Sequence, residues 1–137
     1  DLGCGSGILS IAALRLGAAE AFACDIDDKC VDVAYENAAI NSIGRDRYTV
    51  RWGNVVTDRA LQKEFGGEYD VVVANIVADV IIGISPQVRP FLRAGGLFLC
   101  SGIIDDRAEE VADHLRRDGW EILETHTSEG WFSFLCR

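Results

Sequence analysis

Asp1-Leu2-Gly3-Cys4-Gly5-Ser6-Gly7 opens the chain and runs straight into the apolar stretch Ile8-Leu9-Ser10-Ile11-Ala12-Ala13. Three glycines at alternate positions let a backbone turn tightly as it leaves a strand and approach a ligand closely. The helix that follows offers free N–H groups and partial positive charge to a carboxylate or phosphate. A glycine triplet alone is also compatible with a plain strand-to-helix turn, so its meaning depends on what lies downstream.

Outward from the loop, residues 8–16 read as a helix with Ile8, Leu9, Ala12, Ala13 and Leu16 on one face and Gly17 as C-cap. Ala21-Phe22-Ala23-Cys24 reads as a buried strand ending at Asp25. Asp27 or Asp28 then caps a second helix, along which Cys30, Val33, Ala34, Asn37, Ala38 and Asn41 recur at helical spacing. A strand over Tyr48 to Trp52 stops at Gly53-Asn54, and a polar helix is expected around 57–65. Asp70-Val71-Val72-Val73-Ala74-Asn75 is the clearest strand, its small and β-branched run suiting burial on both faces. Residues 78–92 read as helical but broken, because Ser85-Pro86 supplies an N-cap and N1 pair for a second piece. Gly95-Gly96 leads into a strand over Leu97 to Ser101. An amphipathic helix follows over 105–118, with Ala108, Val111, Ala112 and Leu115 inward. Two final strands, about 120–126 and 131–136, are expected to form a hairpin across Ser128-Glu129-Gly130.

Strands alternating with helices predict a Rossmann-like α/β fold, with a mostly parallel sheet and a C-terminal antiparallel hairpin. Residues 1–137 read as one catalytic domain without internal linkers. The strand that should feed the glycine loop does not precede Asp1, so the sequence reads as part of a longer polypeptide. A chain truly beginning there is expected to expose two strand edges and to fold poorly.

Composition narrows the function classes. Hydrophobic residues make up 49% and charged residues 26%, ordinary values for a globular domain. No apolar run approaches the roughly 20 residues of a membrane span and no signal-peptide pattern opens the chain, so no membrane role and a cytoplasmic setting are expected. A net charge of −9 argues against direct nucleic-acid binding and is compatible with a basic protein substrate. The five cysteines (Cys4, Cys24, Cys30, Cys100 and Cys136) form no CxxC pair and read as reduced, mostly buried thiols, with no metal site expected. His114 and His126 lie beside no candidate nucleophile.

Asp25 stands 22 residues after Gly3, at the end of the second predicted strand. An acid there can accept hydrogen bonds from both hydroxyls of a ribose. Loop and acid together point to a nucleoside-containing ligand. A dinucleotide fingerprint would place its third glycine at residue 8, which is Ile8, so a nicotinamide-dependent oxidoreductase fits less well. Asn75, directly after the strand 70–75, lies where ligands of open α/β sheets gather, and its amide can both donate and accept.

The spacing Asp-x-Gly-x-Gly-x-Gly resembles the first motif of class I S-adenosylmethionine-dependent methyltransferases. Gly3-Cys4-Gly5-Ser6-Gly7-Ile8-Leu9, Cys24-Asp25-Ile26-Asp27, Val72-Val73-Ala74-Asn75-Ile76-Val77-Ala78-Asp79, Gly95-Gly96-Leu97, Ser101-Gly102-Ile103 and Gly130-Trp131 are together similar to the ribosomal protein L-eleven methyltransferase (PrmA) family. That resemblance spans essentially the whole chain. It implies S-adenosyl-L-methionine as cofactor and Asp1, Gly3, Gly5, Asp25, Asn54 and Asn75 as cofactor-binding residues. From its place after the strand 70–75, Asn75 is also expected to be the catalytic residue, orienting the substrate amine or the cofactor methyl. Asn54 departs from the pattern, since related enzymes often carry an acid there near adenine. The resemblance also implies amino-group methylation, on lysine side chains or the N-terminus, of a large-subunit ribosomal protein. Family members add an N-terminal substrate-recognition domain that this sequence lacks. A small-molecule or other protein methyltransferase, or a non-catalytic nucleoside-binding module, remains the alternative.

Overall fold

Gly7, in the left-handed region at φ 79°, ends the glycine loop and starts helix α1 (Ile8–Arg15) in the structure, a computed structural model that describes residues 1–137. The other elements follow in the expected order: β1 (Ala21–Asp25), α2 (Lys29–Ile40), β2 (Tyr48–Trp52), α3 (Arg59–Phe65), β3 (Tyr69–Asn75), α4 (Ala78–Val88), a 3-10 turn (Arg89–Phe91), β4 (Leu92–Ile104), α5 (Asp105–Arg117), β5 (Ile122–Ser128) and β6 (Trp131–Cys136). The chain divides into two compact units, Asp1–Phe65 and Gly66–Arg137.

In the first unit β1 and β2 pair in parallel, and Leu2 adds a parallel bridge to Cys24. Helix α1 ends as its sequence predicts. Ala18 N–H returns to Ala13 O at 3.0 Å and Gly17 N–H to Leu14 O at 3.4 Å, with Gly17 at φ 113°, the double bond of a Schellman stop. Helix α2 lies on a narrower stripe than its spacing suggested. Ala34 and Ala38 are buried with Val31 and Tyr35 packed beside them, whereas Val33 stays 42% exposed and Asn41 faces solvent. The Tyr35 hydroxyl takes the Val50 N–H at 2.9 Å, covering a ladder donor on the free side of β2. Phe65 of α3 stacks on Phe22 with ring centroids 4.2 Å apart.

The second unit carries a four-stranded sheet in the order β3-β4-β6-β5. The β3–β4 pair is parallel, while β4–β6 and β6–β5 are antiparallel, so the predicted hairpin forms. Helix α5 buries Ala108, Val111, Ala112 and Leu115 as its pattern requires. Strand β3 is less covered than its apolar run implied: Val72 and Ala74 are buried, Val71 is 48% exposed and Val73 only partly covered. Alternate side chains of a strand point to opposite faces, and here one face is buried more deeply than the other. No helix is long and apolar enough to cross a membrane.

Two expectations are overturned. Helix α1 buries Ser10, Ile11 and Leu14, whereas Ile8, Ala12, Ala13 and Leu16 of its predicted face lie exposed, so the stripe that meets the core is rotated from the one read in the sequence. Helix α4 runs unbroken through Pro86, so Ser85 does not cap a second helix. Proline at position 86 removes the N–H that would have bonded the Ile82 carbonyl, and the Ser85 hydroxyl lies 3.2 Å from that same oxygen. Ser85 is fully buried and its hydroxyl also sits 2.5 Å from the Asp118 carboxylate. The indole N–H of Trp120 donates to the Ser85 carbonyl at 3.1 Å, and the Arg89 guanidinium stacks 4.1 Å from the Trp120 ring. These contacts replace what proline removes and tie α4 to the turn after α5. Ser85→Ala deletes the hydroxyl that serves both acceptors, so we expect a loss of about 1–2 kcal/mol, read as a lower midpoint in chemical denaturation; an unchanged midpoint would show that Pro86 is tolerated without it.

Candidate functional site

The first unit holds five of the six sequence-predicted site residues, on the glycine loop, at the end of β1 and in the turn after β2. Gly3, Gly5 and Gly7 all take positive φ (74°, 51° and 79°), backbone that L side chains rarely adopt. Gly3 and Cys4 donate to the Cys24 carbonyl at 2.9 and 3.0 Å, which holds the loop against the end of β1. Gly5 N–H donates to Asp25 Oδ2 at 2.8 Å, and Asp27 N–H donates to Asp25 Oδ1 at 3.0 Å. Asp25 therefore fixes the loop with one oxygen and the entry to α2 with the other. A carboxylate offers about four lone-pair sites, so Asp25 keeps room for a further donor beyond these two bonds and that of the Cys30 thiol. Asp27 relays the chain into α2, its Oδ1 accepting from Lys29 N–H at 3.0 Å.

Asp1 plays a different part. Its Oδ2 accepts from Ser10 N–H at 3.1 Å and from the Ser10 hydroxyl at 2.7 Å. Ser10 is the third residue of α1, where a helix N-cap side chain normally reaches. The N-cap here is Gly7, which has no side chain, so Asp1 supplies the missing acceptor from across the loop. That leaves the N–H groups of Ser6, Ile8 and Leu9 without a protein acceptor, an arrangement suited to an anion. Nothing lies within 4 Å of the position a Gly5 Cβ would occupy, so the loop is open at Gly5. The opposite side is closed: a Gly7 Cβ would stand 2.7 Å from the Tyr48 hydroxyl and 3.0 Å from the Ala34 Cβ. The fully buried Tyr48 hydroxyl has no well-formed hydrogen bond; burial raises its pKa to about 12, and the nearby Ser10 only partly offsets that.

Asn54 begins the turn after β2. Its Oδ1 accepts from Val56 N–H at 2.9 Å, leaving the amide N–H₂ as the outward donor, and Gly53 N–H ties that turn to the Asp25 carbonyl at 2.9 Å. Two residues that sequence reasoning missed flank this point. Asp25 pairs with Trp52 in the β1–β2 ladder, the Trp52 indole donates to the Ile26 carbonyl at 3.1 Å, and both side chains are exposed, at 67% and 73%. They form an apolar shelf beside a carboxylate, which suits the flat face of a base next to a ribose. The apolar Ile26 directly after the acid was a visible signal; Trp52 needed the strand register.

Burial also sets the chemistry of the loop thiols. The Cys4 pKa is pushed up to about 12, by burial first and then by the Asp25 charge, and that of Cys24 to about 11, again chiefly by burial. All five cysteines are free.

Asn75 lies in the second unit. It closes β3, pairs with Ser101 of β4, and presents an exposed carboxamide that makes no hydrogen bond within the protein. Just past it, Ile76 N–H donates to the Ser101 carbonyl at 3.1 Å, so the backbone is clamped while the side chain is free to meet a ligand.

The structure supplies donors for an anion, acceptors for a diol and an apolar shelf within the first unit, and the residues present therefore fit a nucleoside bearing a carboxylate. Comparison with known proteins agrees. The family model described as "Ribosomal protein L11 methyltransferase (PrmA)" matches residues 1–137. A ribosomal protein L11 methyltransferase of Agathobacter rectalis is 43% identical over 138 residues, covering all of this chain and 43% of that protein. The chain thus spans less than half the length of such curated relatives. The crystal structure of a ribosomal protein L11 methylase from Lactobacillus delbrueckii subsp. bulgaricus superposes with a TM-score of 0.89 at 31% identity, covering all of this chain and 67% of that one. Magnesium protoporphyrin IX methyltransferase from Synechocystis, solved with bound SAM, shares the fold at a TM-score of 0.74 and 20% identity, over 99% of this chain and 66% of its own. A full-length family match and relatives above 40% identity leave one assignment: the chain belongs to the ribosomal protein L11 methyltransferase family.

Proposed function

We propose that the protein transfers methyl groups from S-adenosyl-L-methionine to amino groups of a ribosomal protein. The observation that carries this reading is the Asp25 carboxylate bonded to Gly5 N–H at 2.8 Å, with lone pairs to spare beside three unpartnered loop N–H groups. In this reading Asp25 accepts the ribose hydroxyls and the N–H groups of Ser6, Ile8 and Leu9 receive the amino-acid carboxylate. Gly3 and Gly5 keep the backbone close to the ligand, and Asp1 holds the loop open by capping α1. Ile26 and Trp52 cover the base, whose edge meets the Asn54 amide. When bound, the cofactor supplies a methyl group activated on a sulfonium sulfur. Asn75 orients the incoming amine. An ammonium has no lone pair, so the amine must first release its proton, and water is the acceptor in this scheme.

The family's name and the acidic balance of the chain support a basic ribosomal protein as partner, since a net charge of −9 attracts a lysine-rich surface. A ribosomal substrate also supports a cytoplasmic setting. Calorimetric titration of the full-length protein with S-adenosylmethionine, with NADH as the comparison ligand, tests the cofactor; saturation by the methyl donor alone is expected, and saturation by NADH instead would replace the reading with a redox one. Transfer of radiolabelled methyl to purified ribosomal protein L11 tests the acceptor, and a cofactor-saturated protein that leaves L11 unlabelled would point to another amine.

Two substitutions separate the roles. Asp25→Ala removes an ionised acceptor of two hydroxyls and should weaken cofactor binding by about 100-fold; an unchanged Kd would remove Asp25 from the site. Asn75→Ala should lower kcat on the order of 100-fold while Kd for the cofactor changes by less than about tenfold, and full turnover in this variant would end its catalytic role.

A further inference from the structure

Strand β4 contains one residue more than its antiparallel partner requires. Cys100 pairs with Phe134 and Ile103 with Phe132, so β4 advances three residues where β6 advances two. The extra residue makes a β-bulge at Ser101-Gly102, and Gly102 adopts φ +80°. Bulges re-aim side chains and are over-represented beside functional sites. This one faces Asn75. A Cβ on Gly102 would stand 2.7 Å from Asn75 Oδ1 and 3.0 Å from both the N and the O of Ile76.

From this contact we infer that Gly102 is a positioning residue for the proposed methyl transfer, setting the rotamer of Asn75 by leaving it the space a Cβ would fill. The inference rests on the catalytic role proposed for Asn75. The Ile76 backbone is held by the bond from its N–H to Ser101 O, so it yields little. The Asn75 carboxamide has no hydrogen bond to anchor it, and it is the part that swings when the space is filled. Both residues belong to the second unit, whereas Gly5 and Asp25 belong to the first. A perturbation at Gly102 is read out first at Asn75, whose Oδ1 its Cβ would meet.

The test is a double-mutant cycle in the full-length protein, with S-adenosylmethionine and ribosomal protein L11 as substrates. Gly102→Ala should lower kcat on the order of 100-fold, the cost of roughly ångström-scale misplacement, and should change cofactor Kd no more than Asn75→Ala does. Added to Asn75→Ala, it should cause no further loss, because the two act as one unit. Gly102→Asn carries the same Cβ but tolerates the left-handed backbone better; it should reproduce the kcat loss with a smaller drop in Tm, which separates the contact from backbone strain. In 15N-labelled protein the Asn75 side-chain amide resonance should move in both Gly102 variants. Wild-type kcat in Gly102→Ala, losses that multiply in the double variant, or an unmoved Asn75 amide resonance would each overturn the inference while leaving the role of Asn75 standing. Full activity in Asn75→Ala would overturn both. If wild-type protein does not methylate L11, the acceptor reading falls, and the amide resonance still decides whether Gly102 sets the side chain.

Discussion

A single carboxylate holds the first unit's ligand-facing surface in register. Asp25 accepts from the glycine loop with one oxygen and from the start of the next turn with the other. The glycine loop and the β1–α2 junction, some 20 residues apart in sequence, are thereby fixed by one side chain. Hydrogen bonds to an ionised group are worth about 1.5–3 kcal/mol each, and they add to the burial of the loop's own Leu2 and Cys4. The loop cannot stiffen itself, because its glycines give it the freedom to turn and no side chains with which to hold the turn. Asp1 complements this from the other side by capping a helix whose own N-cap is a glycine. Two acids outside the glycine triplet thus do the work that the triplet's composition excludes.

Much of this was legible in the sequence, for identifiable reasons. Period and punctuation reported the elements: the inward face of α5, the Gly17 stop of α1 and the hairpin around Gly130 all appear where apolar spacing and glycine placed them. The glycine loop and Asp25 were legible as parts of one ligand site because of their spacing, whereas the bond from Gly5 N–H to Asp25 that joins them was not. Features that depend on register or on distant partners were not. Trp52 reads as the last residue of a strand until its pairing puts it across from Asp25. The role of Asp1 requires knowing that Ser10 turns back toward it. Ser85-Pro86 misled because the local rule for starting a helix is correct in isolation, and only Asp118 and Trp120, more than 30 residues away, make a continuous helix tolerable. The apolar run of β3 overstated its burial, since composition cannot tell which face of a strand is left partly open.

The two units solve the same problem in opposite ways. In the first, flexible backbone is fixed by charged side chains. In the second, a fixed backbone leaves one side chain unbonded, and the geometry comes from the absence of a Cβ on a neighbouring strand. Both arrangements depend on left-handed glycine, at Gly5 in one and at Gly102 in the other, the conformation that other residues enter only at a cost.

The raised thiol pKa values in the glycine loop acquire a meaning once the proposed ligand is considered. An activated sulfonium is an alkylating agent, and the thiolate is the strongest nucleophile a protein ordinarily offers. Cys4 lies within the loop and Cys24 immediately before Asp25, next in sequence to the residues proposed to hold the cofactor. Burial pushes their pKa values up to about 12 and 11, so both stay in the thiol form near neutral pH. The same packing that seats the loop on β1 thereby keeps these two sulfurs in their weakly nucleophilic form.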